Sequence, residues 1–305
     1  MLFRSVDDLV FADGRTRMGE AGGAVLHAAL GAGLWCDRVG CVSVRGADYP
    51  QAALSALAAR GVDLAGVRAL VGPGVRTWLL YEPAGRRMVT RLGGPSHEEV
   101  SPTPEDVPAP WRGARAFHLA PMPFERQRAL VAALAAPQYW TNGDPPGAKQ
   151  GLAAPPERAP LVSIDPHLPI REDTLPAWRA LLAGVDVLFL GEEDLQLGGD
   201  EAAALVRLAP PRLRYLARKR GARGGTLYDL HEGRSEAWAA AEGEAVDPTG
   251  AGDAFAAAFV TALIEDRGAA AALRRGAAAA ALAVSGWGAA GLLAATTEEA
   301  RRRAP

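Results

Sequence analysis

Cysteine is almost missing from this chain. Its 305 residues hold two, Cys36 and Cys41, which do not form a Cys-x-x-Cys pair, so neither a disulfide framework nor a zinc site can be built from them. Lysine is nearly as rare, at Lys149 and Lys219; arginine supplies the remaining positive charge, a bias that says nothing about chemistry. Charge of one sign is not in excess either. Lys+Arg number 33 against 35 Asp+Glu, for a formal net charge of -2, which argues against a non-specific nucleic-acid binder. Long apolar runs are absent, since Ala254 to Ile264 and Ala277 to Val284 are short and alanine-rich, so no membrane association is expected. The stretch Met1 to Asp8 lacks the apolar core of a secretory signal, and a cytoplasmic location is the expectation. No fixed-period repeat is present.

What remains is an ordinary globular composition, 49% hydrophobic and 22% charged, long enough to bury a large core as one unit. Gly22 to Leu34 has the spacing of a small-residue helix, Pro50 to Ala59 reads as a second helix, and Arg38 to Val44 between them as a buried strand. Thr77 to Tyr81 and Arg86 to Leu92 flank Glu82-Pro83-Ala84-Gly85 as a hairpin. From Ala114 onward strands and helices alternate, the strands being Ala114 to Leu119, Leu161 to Ile164, Val185 to Leu190, Leu213 to Ala217 and Thr226 to Tyr228. Two helices, Ala251 to Ile264 and Ala269 to Ser285, follow them. This alternation predicts an α/β fold with a mostly parallel sheet covered on both faces. Asn142 to Pro160, rich in Pro and Gly, reads as a long surface loop.

Chemistry concentrates in Asp247-Pro248-Thr249-Gly250-Ala251-Gly252-Asp253. An extended entry, two glycines and then an apolar helix place backbone N–H groups at a helix N-terminus, where they and the helix dipole attract an anion. Asp253 falls in the first turn of that helix, beside the anion. A carboxylate there can accept the proton of a phosphoryl-acceptor hydroxyl and aim it; the plain alternative is a helix acid complementing the dipole. The segment is neither a Walker A loop nor a dinucleotide fingerprint, since no G-x-x-x-x-G-K-[ST] occurs and Phe255 stands where a small residue is required.

This heptapeptide resembles the C-terminal signature of the ribokinase-like (PfkB) carbohydrate kinases. The resemblance extends through Gly22-Gly23, Val39-Gly40, Gly46-Ala47-Asp48, Arg60-Gly61-Val62-Asp63 and Lys219-Arg220-Gly221-Ala222-Arg223-Gly224. It implies a three-layer ribokinase-like fold of one domain, with a small β lid built from about 9–18 and 77–92. It implies ATP-dependent phosphorylation of a hydroxyl on a sugar or related small alcohol. Asp253 would be the catalytic base, with Gly250, Ala251 and Gly252 as the anion hole. Asp8, Gly22, Gly23 and His27 would bind the acceptor, and Thr249, Lys219, Gly221 and Gly224 would line the nucleotide. Asp247 and Ser285 would hold a monovalent cation such as K+, and Asp194 would handle Mg2+. The lid edge would offer a surface for a homodimer.

Three positions depart from the family pattern. His27 stands where an Asn is usual, as a hydroxyl ligand or as a core histidine. Gly191-Glu192-Glu193-Asp194 replaces Asn-x-x-Glu, leaving metal handling to Asp194, Glu192 or Glu193, or leaving the trio as charge at a helix start. The chain also has few residues before Asp8. A catalytically weakened homologue that binds nucleotide or sugar is the competing reading. Arg86, Arg87 and Arg91 form either an anion contact or a solvated face. Trp35, Trp78, Trp238 and both cysteines are expected in the core, and Arg301-Arg302-Arg303 as a solvated helix end.

Overall fold

The computed structural model describes residues 5–82, 85–136, 159–241 and 245–304. Its first half runs β1 (Ser5–Phe11), β2 (Thr16–Ala21), α1 (Ala24–Gly33), β3 (Gly40–Arg45), α2 (Gln51–Ala59), β4 (Asp63–Ala69), β5 (Val75–Glu82) and β6 (Gly85–Thr90). The second half continues β7 (Ala116–Leu119), α3 (Phe124–Ala135), β8 (Leu161–Ile164), β9 (Ile170–Arg171), α4 (Leu175–Leu182), β10 (Val187–Leu190), β11 (Leu195–Gln196) and α5 (Glu201–Leu208). Then come β12 (Tyr215–Lys219), β13 (Gly225–Asp229), β14 (Arg234–Trp238), α6 (Ala251–Ile264), α7 (Gly268–Val284), α8 (Ala290–Ala294) and α9 (Thr297–Arg303).

The main sheet has the order β14-β13-β12-β10-β8-β7, with β7, β8, β10 and β12 parallel and β13 and β14 antiparallel at one edge. Every residue of β10 is fully buried, as a strand covered on both faces must be, which is why it reads as an uninterrupted apolar run. On one face lie α6 and α7, whose buried Ala254, Ala256, Ala258, Ala272, Ala278 and Ala279 let the two helices and α1 approach closely. Phe189 of β10 meets Phe259 of α6 edge-on at 5.5 Å, and Trp238 stacks on Phe255 at 5.1 Å. Helix ends follow local chemistry: Asp200 accepts from the Ala203 N–H at 2.8 Å and Thr296 from that of Glu299 at 3.1 Å.

A second sheet, ordered β2-β1-β5-β6, takes in both segments expected to form a lid. It is larger than the spacing predicts, because all of β1 belongs to it, in parallel register with β5 from Ser5 opposite Val75 to Phe11 opposite Tyr81. Strand β3 pairs with β4 in parallel across α2, a strand that the sequence reading did not foresee. Trp78 is another departure: it is 42% exposed on the lid, whereas Trp35 and Trp238 are partly buried against the core and Cys41 is buried. The arginine run closes α9, with Arg302 and Arg303 paired one turn back to Glu298 and Glu299. Residues 142–158 of the expected long loop lie outside the described residues. No described helix is long and apolar enough to cross a membrane.

Candidate active site

The anion loop enters with Val246 and Asp247 donating to the Val284 carbonyl at 2.8 and 3.3 Å, which pins it to the end of α7. Gly250 then caps α6 in the left-handed region, at φ 74°. A side chain there would be strained twice over, because a Cβ would stand 2.0 Å from Cγ of His27. By position, the Gly252 N–H lies in the first turn of α6, where backbone donors face whatever lies before the helix. Asp253 falls in the first turn, where the sequence places it.

Facing this loop are the carboxyl ends of the parallel strands, where open α/β sheets bind ligands. Asp165 follows β8, Asp194 lies just beyond β10, and Lys219 ends β12. Lys219 Nζ forms an ion pair with Asp165 and lies 5.9 Å from the centre of the Phe189 ring. A Cβ on Gly252 would come within 3.1 Å of the same Nζ, so the ammonium sits directly under the anion loop. Burial pushes the Asp165 carboxyl up to about 7, with Asp253 and Asp194 adding to the rise and Lys219 opposing it. Burial also opposes the charge on Lys219, but Asp165, Asp253 and Asp194 hold its pKa above the ordinary lysine value. Three carboxylates and one ammonium therefore form a single electrostatic unit. Asp165 escaped the sequence reading; its signal was an acidic residue directly after a four-residue apolar strand.

The acceptor end corrects one expectation. Successive residues of β1 point to opposite faces, so Asp7 and Asp8 cannot share a site. Asp8 is taken up by Arg76, which donates from Nε at 2.7 Å and Nη2 at 2.8 Å, and by the Gly19 N–H at 2.9 Å. The Arg76 hydrogen bonds hold its carboxyl below the usual range. Asp7 instead lies against the Gly22-Gly23 turn, where a Cβ on Gly22 would fall 1.9 Å from its Oδ2. Tyr49 donates to the Gly22 carbonyl at 3.0 Å, and Gly23, at φ 100°, opens α1. His27, one turn into α1, is buried between this turn and Gly250. Its Nδ1 lies 3.4 Å from the Gly23 carbonyl, and its Nε2 makes no hydrogen bond.

Several nucleotide and metal assignments are also redefined by geometry. Thr249 donates its only hydroxyl proton to Asp247 Oδ1 at 2.5 Å, so it cannot also donate to a phosphate. Asp247 accepts in addition from the Thr249 N–H at 2.9 Å and the Gly288 N–H at 2.8 Å, and Ser285 Oγ donates to the Leu282 carbonyl at 2.8 Å. Protein donors thus reach both carboxylate oxygens, an arrangement that ties two loops together. Asp194 turns Oδ2 back to the Gly191 N–H at 2.5 Å, and Arg218 holds the Gly191 carbonyl at 2.6 Å. The acidic trio leads into β11, not into a helix, and Glu192 pairs with Arg223. Gly221 and Gly224 shape the turn from β12 to β13, Gly224 lying against Trp238 and Ala239. Arg87 pairs with Glu82 on an exposed hairpin. Among the described residues, no group of three or more His, Cys, Asp or Glu is set to hold a metal alone.

Comparison with known proteins gives a consistent result. The profile of the family described as pfkB family carbohydrate kinase matches residues 158–295. A cytidine kinase of Thermococcus kodakarensis is 28% identical over 270 residues, covering 86% of this chain and 87% of that protein. Among solved structures, an E. coli protein assigned as ribokinase II, in complex with ATP and Mg2+, superposes with a TM-score of 0.71 at 20% identity, covering 99% and 98% of the two chains. A nucleoside kinase of Burkholderia thailandensis, in complex with inosine, gives 0.70 at 17% identity, covering 98% and 94%.

Proposed function

We propose that the chain is a ribokinase-like PfkB carbohydrate kinase with a specific division of labour in its site. The protein is an ATP-dependent kinase that phosphorylates a hydroxyl of a small alcohol, with ATP and Mg2+ as cofactors. Asp253 takes the proton of the acceptor hydroxyl and aims its oxygen. The N–H groups of Gly250, Ala251 and Gly252 receive the charge that develops on the transferring group. Lys219 supplies a fixed positive charge beneath them, oriented by Asp165. Mg·ATP would supply the phosphoryl group and the charge that neutralises its oxygens, and Asp194 and Asp165 would be the carboxylates available to hold its metal. Asp7 and the Gly22-Gly23 turn hold the acceptor, His27 stands between acceptor and anion loop, and the Gly221 to Gly224 turn borders the nucleotide. The observation that carries this reading is the convergence of Asp253, Asp165, Asp194 and Lys219 on one anion loop.

For the acceptor we favour a nucleoside, as with the cytidine kinase relative. The test is ADP release with Mg·ATP over nucleosides, sugars and sugar phosphates, with Asp253→Asn alongside. A nucleoside-stimulated signal that falls about 10²–10⁴-fold in the variant supports the assignment, in the range of a general base. Stimulation only by a plain sugar sinks the nucleoside choice, and an unaffected variant removes Asp253 from the chemistry. A K+ requirement, if present, rests on carbonyls around 285–289, and replacing K+ by Li+ in the same assay tests it. We place the enzyme in the cytoplasm, where Mg·ATP is available. Pairing of two lids through the edge strands β2 and β6, near exposed Met18 and Met88, is tested by sedimentation.

A further inference from the structure

The lid and the anion loop meet at one side chain. Tyr81, near the end of β5, places its hydroxyl 2.5 Å from Thr249 Oγ1. Since Thr249 donates its proton to Asp247, Tyr81 must be the donor in this pair. The result is a directed chain, Tyr81 to Thr249 to buried Asp247, whose far carboxylate oxygen accepts from the Gly288 N–H. An aromatic clasp closes on the same turn. Tyr81 stacks on Phe11 at 4.6 Å, and Phe11 meets Trp287, the neighbour of Gly288, edge-on at 5.0 Å. Arg15, in the turn between β1 and β2, and Arg17, at the start of β2, each lie 5.3 Å from the Trp287 ring. Polar chain and clasp thus join the lid to both loops that Asp247 ties together.

We propose that Tyr81 is a positioning residue for phosphoryl transfer: through Thr249 it completes the anion loop only when the lid is down. The proposal rests on the kinase reading above. Thr249 immediately precedes Gly250, so anything that releases its hydroxyl lets the N–H groups behind it drift. With the lid raised, Thr249 keeps Asp247 and loses Tyr81, and the Trp287 turn loses its aromatic cover. Enclosure of the acceptor and completion of the anion hole thereby become one event, which restrains attack by water on bound ATP.

The test is Tyr81→Phe, which keeps the ring on Phe11 and removes only the hydroxyl. Loss of one hydrogen bond in the chain should lower kcat by roughly three- to tenfold. The acceptor KM should stay within about twofold, and ADP formed per phosphorylated product should rise above one. In a double-variant cycle, adding Tyr81→Phe to Thr249→Val should cost nothing more, because the chain is already cut. An unchanged kcat in Tyr81→Phe, or effects that multiply in the double variant, overturns the proposal. Trypsin cleavage after Arg15 and Arg17 reads the latch without any acceptor, and it should be faster in Tyr81→Phe. If the wild type releases no ADP with any acceptor, the kinase reading fails on its own. The cleavage rates then still decide the latch: faster cutting supports it and an equal rate removes it.

Discussion

Gly250→Ala is the sharpest probe of the anion loop, because two separate costs are visible at that position. The backbone there has φ 74°, a left-handed conformation that costs a residue with a Cβ roughly 1–2 kcal/mol. The added methyl would also stand 2.0 Å from Cγ of His27, against the 3.5–4.0 Å or so of an ordinary carbon contact. Ring and loop must therefore separate by about 1.5 Å. His27 is buried and Gly250 is the more exposed partner, so the displacement passes to the N–H groups of residues 250–252. A misplacement of about 1 Å in a reacting constellation costs on the order of 10²-fold in rate, which is the loss of kcat expected from steady-state ADP release. Strain alone should lower Tm by about 2–8 °C for a domain of this size, measured by scanning calorimetry. His27→Ala in the same chain removes the steric part and leaves the φ strain. The double variant should thus be more stable than the summed single effects by about 1 kcal/mol or more. Strict additivity in Tm, or wild-type turnover in Gly250→Ala, would refute the placement of His27 against this loop.

Other consequences are read from the same geometry. Asp7→Ala should raise the acceptor KM by about tenfold or more while the ATP KM holds, if the Gly22 turn against which Asp7 lies holds the acceptor as proposed; equal changes in both would place it in folding. Asp8→Asn should destabilise at pH 7 by about 1–2 kcal/mol, through a charge-assisted pair whose arginine is partly exposed. The sign with pH follows from the lowered carboxyl pKa of Asp8: its contribution is present above its ordinary 3.8 and lost as pH falls through the folded-state value. Urea midpoints of wild type and variant should therefore converge as pH falls below 3.8; a gap that stays constant as pH falls contradicts the pairing. Lys219→Met should lower kcat by about 10²-fold or more and leave the lid intact, read as unchanged trypsin cleavage after Arg15 and Arg17.

What could be read from the sequence was local in the chain. Asp247 to Asp253 forms its loop and helix start within seven residues, and α6 runs from Ala251 to Ile264 as its apolar pattern predicts. Asp165 was missed because its partner Lys219 lies 54 residues away and meets it only through the parallel order of β8, β10 and β12. Choosing between Asp7 and Asp8 required the pleat of β1, since adjacent residues of a strand face opposite ways and both letters are the same. Tyr81 and Thr249 are 168 residues apart, and no spacing rule links a lid hairpin to a loop on the other sheet.

The departure at Gly191 follows the same logic of neighbours. A Cβ there would come within 3.0 Å of Asp194 Oδ2, the oxygen that accepts the Gly191 N–H. An Asn at 191 would push against the carboxylate that now closes the loop. With Gly at 191 and the shorter Asp at 194, the backbone amide takes the place of a side-chain amide, and Arg218, itself paired with Glu201, holds the Gly191 carbonyl from below. The two substitutions are therefore one change in how the loop is fastened. Asp194 keeps its place beside Asp165 and Lys219, and the electrostatic unit under the anion loop survives the loss of the asparagine.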